Sequence, residues 1–98
     1  MRELNVSGVD LNLLPPLLAL LRRRNVTHAA NDAGLSQPAM SRALARLRAL
    51  LGDPLLVRGN RGYVLTPRAA ALLPLLETTL GGVRALLAPA AFEPAVAV

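Results

Sequence analysis

Cysteine, tryptophan and lysine are absent from the 98-residue chain, and histidine, phenylalanine and tyrosine occur once each. Without cysteine there is no disulfide framework and no thiolate zinc site, and His28 alone does not make a histidine metal site. With so few aromatics the core must be leucine, alanine and valine, which suits helices better than a β-sandwich. The apolar run Leu11–Leu21 is too short to span a bilayer and contains Pro15 and Pro16. The cluster Arg22-Arg23-Arg24 follows that run, whereas a secretory signal has its charges first. The acids Glu3, Asp10, Asp32, Asp53, Glu77 and Glu93 are scattered, with no pair suited to acid–base catalysis, and Ser36 and Ser41 have only His28 as a base. These gaps argue against an enzyme, a metal protein and a membrane protein, and predict a cytoplasmic one (nucleoid-associated, if the anionic partner argued below is DNA).

What remains is apolar and basic. Hydrophobic residues make up 53%, enough for one core in a chain of single-domain length, and the net charge is +5. All 11 basic residues are arginine. A GC-rich genome explains arginine over lysine but not the positive balance, which points to an anionic partner, most simply nucleic acid.

Residues 1–9 read as a loose leader. A first helix is predicted from about Asn12 to Arg24, with Asp10 or Asn12 as its cap and Leu14, Leu17, Leu18 and Leu21 as its apolar stripe. Arg22–Arg24 suit its last turn, against the helix dipole. A second helix is predicted from an N-cap at Thr27 through Ala33, ended by Gly34. A third starts at the Ser36 cap with Pro38 in its first turn and stops at Gly52. The apolar stretches 55–57 and 63–65 flank Arg58-Gly59-Asn60-Arg61-Gly62 and read as a hairpin. Thr66-Pro67 opens a last helix to about Ala88, with Pro74 and Gly81-Gly82 as expected weak points.

The segment from Ala29 to Leu47 carries the functional pattern. Small residues at 29, 30 and 33 let two helices approach, Gly34 turns the chain, and Leu35 fills the space beneath, as in a helix-turn-helix. Wound at 100° per residue, the third helix puts Met40, Leu44, Leu47 and Leu51 on one face. The opposite face is small, hydroxylated and arginine-bearing, as a major-groove helix requires. Arg46 and Arg48 are read as phosphate contacts at most. The hairpin arginines, Arg58 and Arg61, are read as following the backbone or entering the minor groove.

On these residues the chain resembles the LysR-type transcriptional regulators. The motifs are Asp10-Leu11-Asn12-Leu13-Leu14, Thr27-His28-Ala29-Ala30, Leu35 to Ser41, Leu51 to Arg58 and Leu65-Thr66-Pro67, in order over about residues 10–90. The Leu47-Arg48 pair and Thr66-Pro67-Arg68-Ala69 look closest to the nodulation-regulator-like branch. The resemblance implies a mainly α fold: a winged helix-turn-helix with a small two-stranded wing (1–66), a long linker and dimerisation helix (67–89), and a hinge or tail (90–98), where Phe92-Glu93-Pro94 resembles the hinge. A C-terminal effector domain, with its small-molecule inducer, would lie beyond. The chain is thus expected to be a piece of such a regulator, or else a stand-alone domain, with no cofactor of its own.

The implied partners are double-stranded promoter DNA, read as an interrupted inverted repeat through the helix at about 37–51, and a second copy of the chain. The expected DNA-facing residues are Thr27, Ser36, Gln37, Pro38, Ala39, Ser41, Arg42, Arg46, Arg58 and Arg61. The expected dimer seam is Ala70, Leu73, Leu76, Leu80, Val83 and Leu87, the alternative being that this stripe packs on the chain's own core. A small basic protein-interaction module and a sequence-blind DNA binder are the competing readings of the whole.

Overall fold

The chain folds as four helices and one hairpin in a computed structural model that describes residues 8–89; the leader at 1–7 and the segment 90–98, with its hinge-like Phe92-Glu93-Pro94, lie outside the described residues. Asp10 caps the first element: its carboxylate accepts the Asn12 N–H at 2.9 Å. The element begins as a 3₁₀ turn at Leu11–Leu13 and continues as α1, Leu14–Arg23, with both prolines in its first turn. Asn12 is therefore inside the turn rather than its cap.

Helix α1 is buried from Pro16 to Leu21 on nearly every side, because it lies against the three other helices. The stripe of Leu14, Leu17, Leu18 and Leu21 understated it: Leu20 is fully buried as well, as in a helix surrounded by partners. Arg24 ends α1 in the left-handed region, at φ +51°.

The next cap follows this stop directly. Helix α2, Val26–Ala33, is capped by Asn25, whose side-chain oxygen accepts the His28 N–H at 2.9 Å. The predicted cap Thr27 is instead an exposed residue of the first turn. Asparagine outranks threonine as a cap, and the chain reversal at Arg24 leaves Asn25 extended. Gly34, at φ +69°, closes α2, and the Leu35 N–H reaches back to the Ala30 carbonyl at 2.9 Å. Ser36 then caps α3, Gln37–Leu51, accepting the Ala39 N–H at 3.2 Å.

The hairpin pairs β1, Leu56–Gly59, with β2, Gly62–Leu65, in the register Leu56–Leu65, Val57–Val64, Arg58–Tyr63 and Gly59–Gly62. The strands are longer and the turn shorter than predicted, leaving Asn60 and Arg61 at the tip. A Cβ on Gly59 would lie 2.9 Å from a Val64 methyl, so a side chain there would force the hairpin apart. Thr66 caps α4, Pro67–Leu87, which runs unbroken through Pro74 and Gly81-Gly82. A proline costs one backbone bond, and here it interrupts nothing. The core joins Leu17, Leu18, Leu20 and Leu21 to Ala29, Ala30, Met40, Leu44, Leu47, Leu55, Leu56, Ala69, Leu76 and Leu80.

Candidate nucleic-acid interface

Helix α3 buries Met40, Ala43, Leu44 and Leu47 and leaves Gln37, Pro38, Ser41, Arg42, Ala45 and Ala49 exposed, along with the Ser36 cap. Ala39 is half-buried. Six of the ten expected contact residues (Ser36, Gln37, Pro38, Ala39, Ser41 and Arg42) thus cluster at the N-terminal end of one helix, where side chains are small and the backbone can approach a groove.

The arginines divide by partner. Arg22 Nε lies 3.0 Å from Glu77 and Arg23 Nε 2.9 Å from Asp32, fastening α1 to α4 and α2. Such half-exposed pairs are worth about 0–1 kcal/mol each. Arg46 is 3.8 Å from Asp10 and still 63% exposed, so its head remains available. Arg48 is half-buried: its Nε donates to the Pro54 carbonyl at 2.8 Å and its terminal nitrogen to the Leu56 carbonyl at 3.1 Å. This corrects the reading of Arg48 as a phosphate contact, because its guanidinium holds the base of the hairpin. Arg68 donates to the Leu51 carbonyl. Arg58 lies on β1 with its guanidinium 5.2 Å from the Tyr63 ring centre, so the hairpin tip carries Arg61 alone. Among the described residues, Arg24, Arg42, Arg61 and Arg84, and Arg58 apart from its Tyr63 ring, have neither a carboxylate nor a carbonyl partner.

The two ends of the hairpin are joined by a small polar hub that the sequence reading did not single out, linking the loop after α3 to the start of α4. One Asp53 carboxylate oxygen accepts the Thr66 hydroxyl at 2.6 Å and the Leu55 N–H at 2.8 Å. The Thr66 hydroxyl oxygen in turn accepts the Ala69 N–H and caps α4. Leu55 is fully buried with φ +65°, a conformation that costs a leucine about 1–2 kcal/mol and is held by these bonds. The Thr66 hydroxyl, then the Leu55 amide, pull the Asp53 carboxyl below its ordinary value of 3.8; Arg68 adds to this and desolvation opposes it. The spacing Gly52-Asp53-Pro54 signalled a turn, but only the fold brings Thr66 to it.

A model of the bacterial regulatory helix-turn-helix proteins of the LysR family matches residues 11–70. The chain belongs to the LysR family. This LysR-family chain is 56% identical over 82 residues to the HTH-type transcriptional regulator SyrM 2 of Sinorhizobium fredii, a match covering 84% of the chain and 24% of the relative. It is 53% identical over 73 residues to Nodulation protein D 1 of Neorhizobium galegae, covering 74% of the chain and 24% of that protein. The chain therefore spans about a quarter of the length of these curated relatives. A probable transcriptional regulator of Pseudomonas aeruginosa has the same fold, with a TM-score of 0.77 and 38% identity over 84% of this chain and 28% of that one. The CbnR DNA-binding domain, solved in complex with DNA, superposes at a TM-score of 0.66 with 31% identity, over 76% of this chain and 86% of that one. The winged helix-turn-helix expectation agrees with these likenesses.

The expected dimer seam is divided between the core and the surface. Leu76 and Leu80 are 7% and 9% exposed within the chain's own core, and Leu73 is half-buried against it. The alternative reading, packing on the core, holds for these three. The same stripe emerges at Val83 and Leu87 only because the core ends there, and Ala70 is exposed. The apolar groups left uncovered on α4 are chiefly Leu75, Val83, Leu86 and Leu87.

Proposed function

We propose that this LysR-family chain is the sequence-reading domain of a transcriptional regulator, that it catalyses nothing, and that it acts in the cytoplasm. The observation that carries the reading is the exposed N-terminal end of α3: Ser36, Gln37, Pro38, Ser41 and the unpartnered Arg42 on a helix capped and backed by the core. Short side chains admit the helix to the major groove, where Arg42 can donate twice to guanine and Gln37 can donate to and accept from adenine. Thr27, Arg46 and Arg61 take phosphates or the minor groove and set position rather than sequence. Arg58, stacked on Tyr63, contributes charge to the wing. No cofactor is assigned to the chain, and an inducer would act through another part of a longer protein.

The site would be an interrupted inverted repeat bound by two copies. Leu75, at 61% exposure, and Leu86, at 79%, lie eleven residues and three turns apart on one face of α4. Thr79 and Gly82 between them are small enough for a second helix to approach. This face replaces the stripe centred on Leu76 and Leu80. By length and composition α4 also passes as a membrane span, with a mean hydropathy of 1.4. Insertion would require Leu76 and Leu80 to leave the core and Glu77 to leave Arg22, so a second copy is the better partner.

The test is a binding titration near physiological salt against an interrupted palindrome selected from random DNA and a scrambled duplex. Preference for the palindrome by about 10²–10³-fold, less than for an intact regulator, is the expected result. Equal binding would make the chain a sequence-blind binder, and no binding would favour a protein-interaction module.

A further inference from the structure

Beside the recognition helix lies a cleft of about 630 Å³ between the start of α2 and the wing. Arg24, Asn25 and His28 line one wall, and Arg61, Tyr63 and Val64 the other. Arg23 also borders it, but its charge is met by Asp32 at 2.9 Å. Arg24 and Arg61 face the cleft from opposite walls, and neither has a carboxylate or carbonyl partner among the described residues. No carboxylate lines the cleft. Two like charges thus converge on one solvent-filled space with nothing between them, an arrangement that is unfavourable without an anion and favourable with one.

The place of Arg24 adds to this. It closes α1 in the left-handed region at φ +51°, a position where glycine or asparagine costs less. Its backbone is that of the α1 C-cap, with its N–H on the Leu20 carbonyl at 2.8 Å, while its guanidinium has no carboxylate or carbonyl partner among the described residues. At this position Arg24 lines the cleft together with the wing residues Arg61, Tyr63 and Val64. One wall belongs to α1 and α2, which pack on α3, and the other to the hairpin, whose base α3 holds through Arg48.

We propose that this cleft is a phosphodiester clamp, in which Arg24 from the α1–α2 turn and Arg61 from the wing tip hold one backbone phosphate of the duplex from two sides, with His28 beside them. The assignment rests on the DNA-binding reading above and adds to it a contact that joins the wing to the helix-turn-helix through the DNA. Phosphate is the chemistry that suits two guanidiniums, since each offers a planar pair of donors. The clamp carries no sequence preference of its own, because phosphates are common to all sites.

The experiment compares the wild-type chain with Arg24→Gly and Arg61→Ala on matched and scrambled duplexes across a salt series, and on duplexes bearing a single methylphosphonate at successive positions. Arg24→Gly relieves the left-handed backbone and is expected to melt no lower than wild type. It is nevertheless expected to weaken binding equally on both sequences and to lower the salt slope, d log K/d log[salt], by about 0.9 in magnitude. One methylphosphonate position should weaken the wild type but not either variant. Wild-type affinity and slope for Arg24→Gly on a duplex that the wild type binds would overturn the clamp while leaving the DNA reading intact. A change confined to inorganic phosphate binding, with DNA binding unaltered, would also overturn it and make the cleft a small-anion site. Failure of the wild type to bind any duplex would remove both readings.

Discussion

Arg42 and Arg48 lie on the same helix, six residues apart, and their surroundings give them different tasks. Arg48 reaches back to the carbonyls of Pro54 and Leu56; Arg42 has no carboxylate or carbonyl partner among the described residues. Arg48→Ala should therefore destabilise the fold by about 1–3 kcal/mol in urea unfolding, because it strands a part-buried carbonyl. Arg42→Ala should leave the unfolding curve in place and reduce discrimination between matched and scrambled DNA by about 1–3 kcal/mol. The converse pattern would reverse the assignment. Asp53 is a third case. Its folded carboxyl titrates below the ordinary 3.8 because it accepts bonds from Thr66 and Leu55. A lowered folded value means that the charged form stabilises the native state above the ordinary value, and that this contribution is lost as pH falls through the folded one. Wild type should melt above Asp53→Asn at neutral pH, and the gap should close as the solution is acidified below 3.8. A gap independent of pH would show that the hub acts without its charge. None of this was visible in the residue types: arginine and aspartate in a turn look alike whether they face solvent or a carbonyl.

At the scale of elements, local chemistry and tertiary packing decided different things. Ser36 and Thr66 cap their helices as their sequence context predicts, since a cap needs only the three residues that follow it. The cap of α2 was misplaced by two residues, because the left-handed Arg24 reverses the chain within one residue and leaves Asn25 extended to cap, and periodicity carries no signal for that. Periodicity found the apolar stripe of α4 but not what covers it: Leu76 and Leu80 meet the chain's own core. The remaining face predicts that Leu75→Arg and Leu86→Arg yield monomers by light scattering with unchanged helix content. Leu76→Arg should instead unfold the domain, since it buries an unpaired charge. Dimers persisting in both of the first two variants would place the seam elsewhere.

For the whole molecule, the proposed pairing of two copies through α4 predicts cooperative binding: two weakly held half-sites joined in this way would gain by effective concentration, typically by about 10²–10⁴. The Leu86→Arg chain should therefore match wild type on a single half-site and fall behind on the palindrome by at least about 10²-fold; an equal loss on both would mean that the helix contacts DNA itself. The amino-acid sequence alone determined the class of partner, through an all-arginine excess of charge, and the fold family, through short-range motifs of caps, small residues and turn glycines in fixed order. It also determined which face of α3 is apolar, since helical geometry converts spacing into direction. Only the tertiary structure decided which arginines bind the protein and which are left for a ligand, which side of α4 is free, and that Arg24 and Arg61 share a cleft. Those depend on contacts between residues tens of positions apart, and such contacts are set by how the helices pack around α1, which local spacing does not encode.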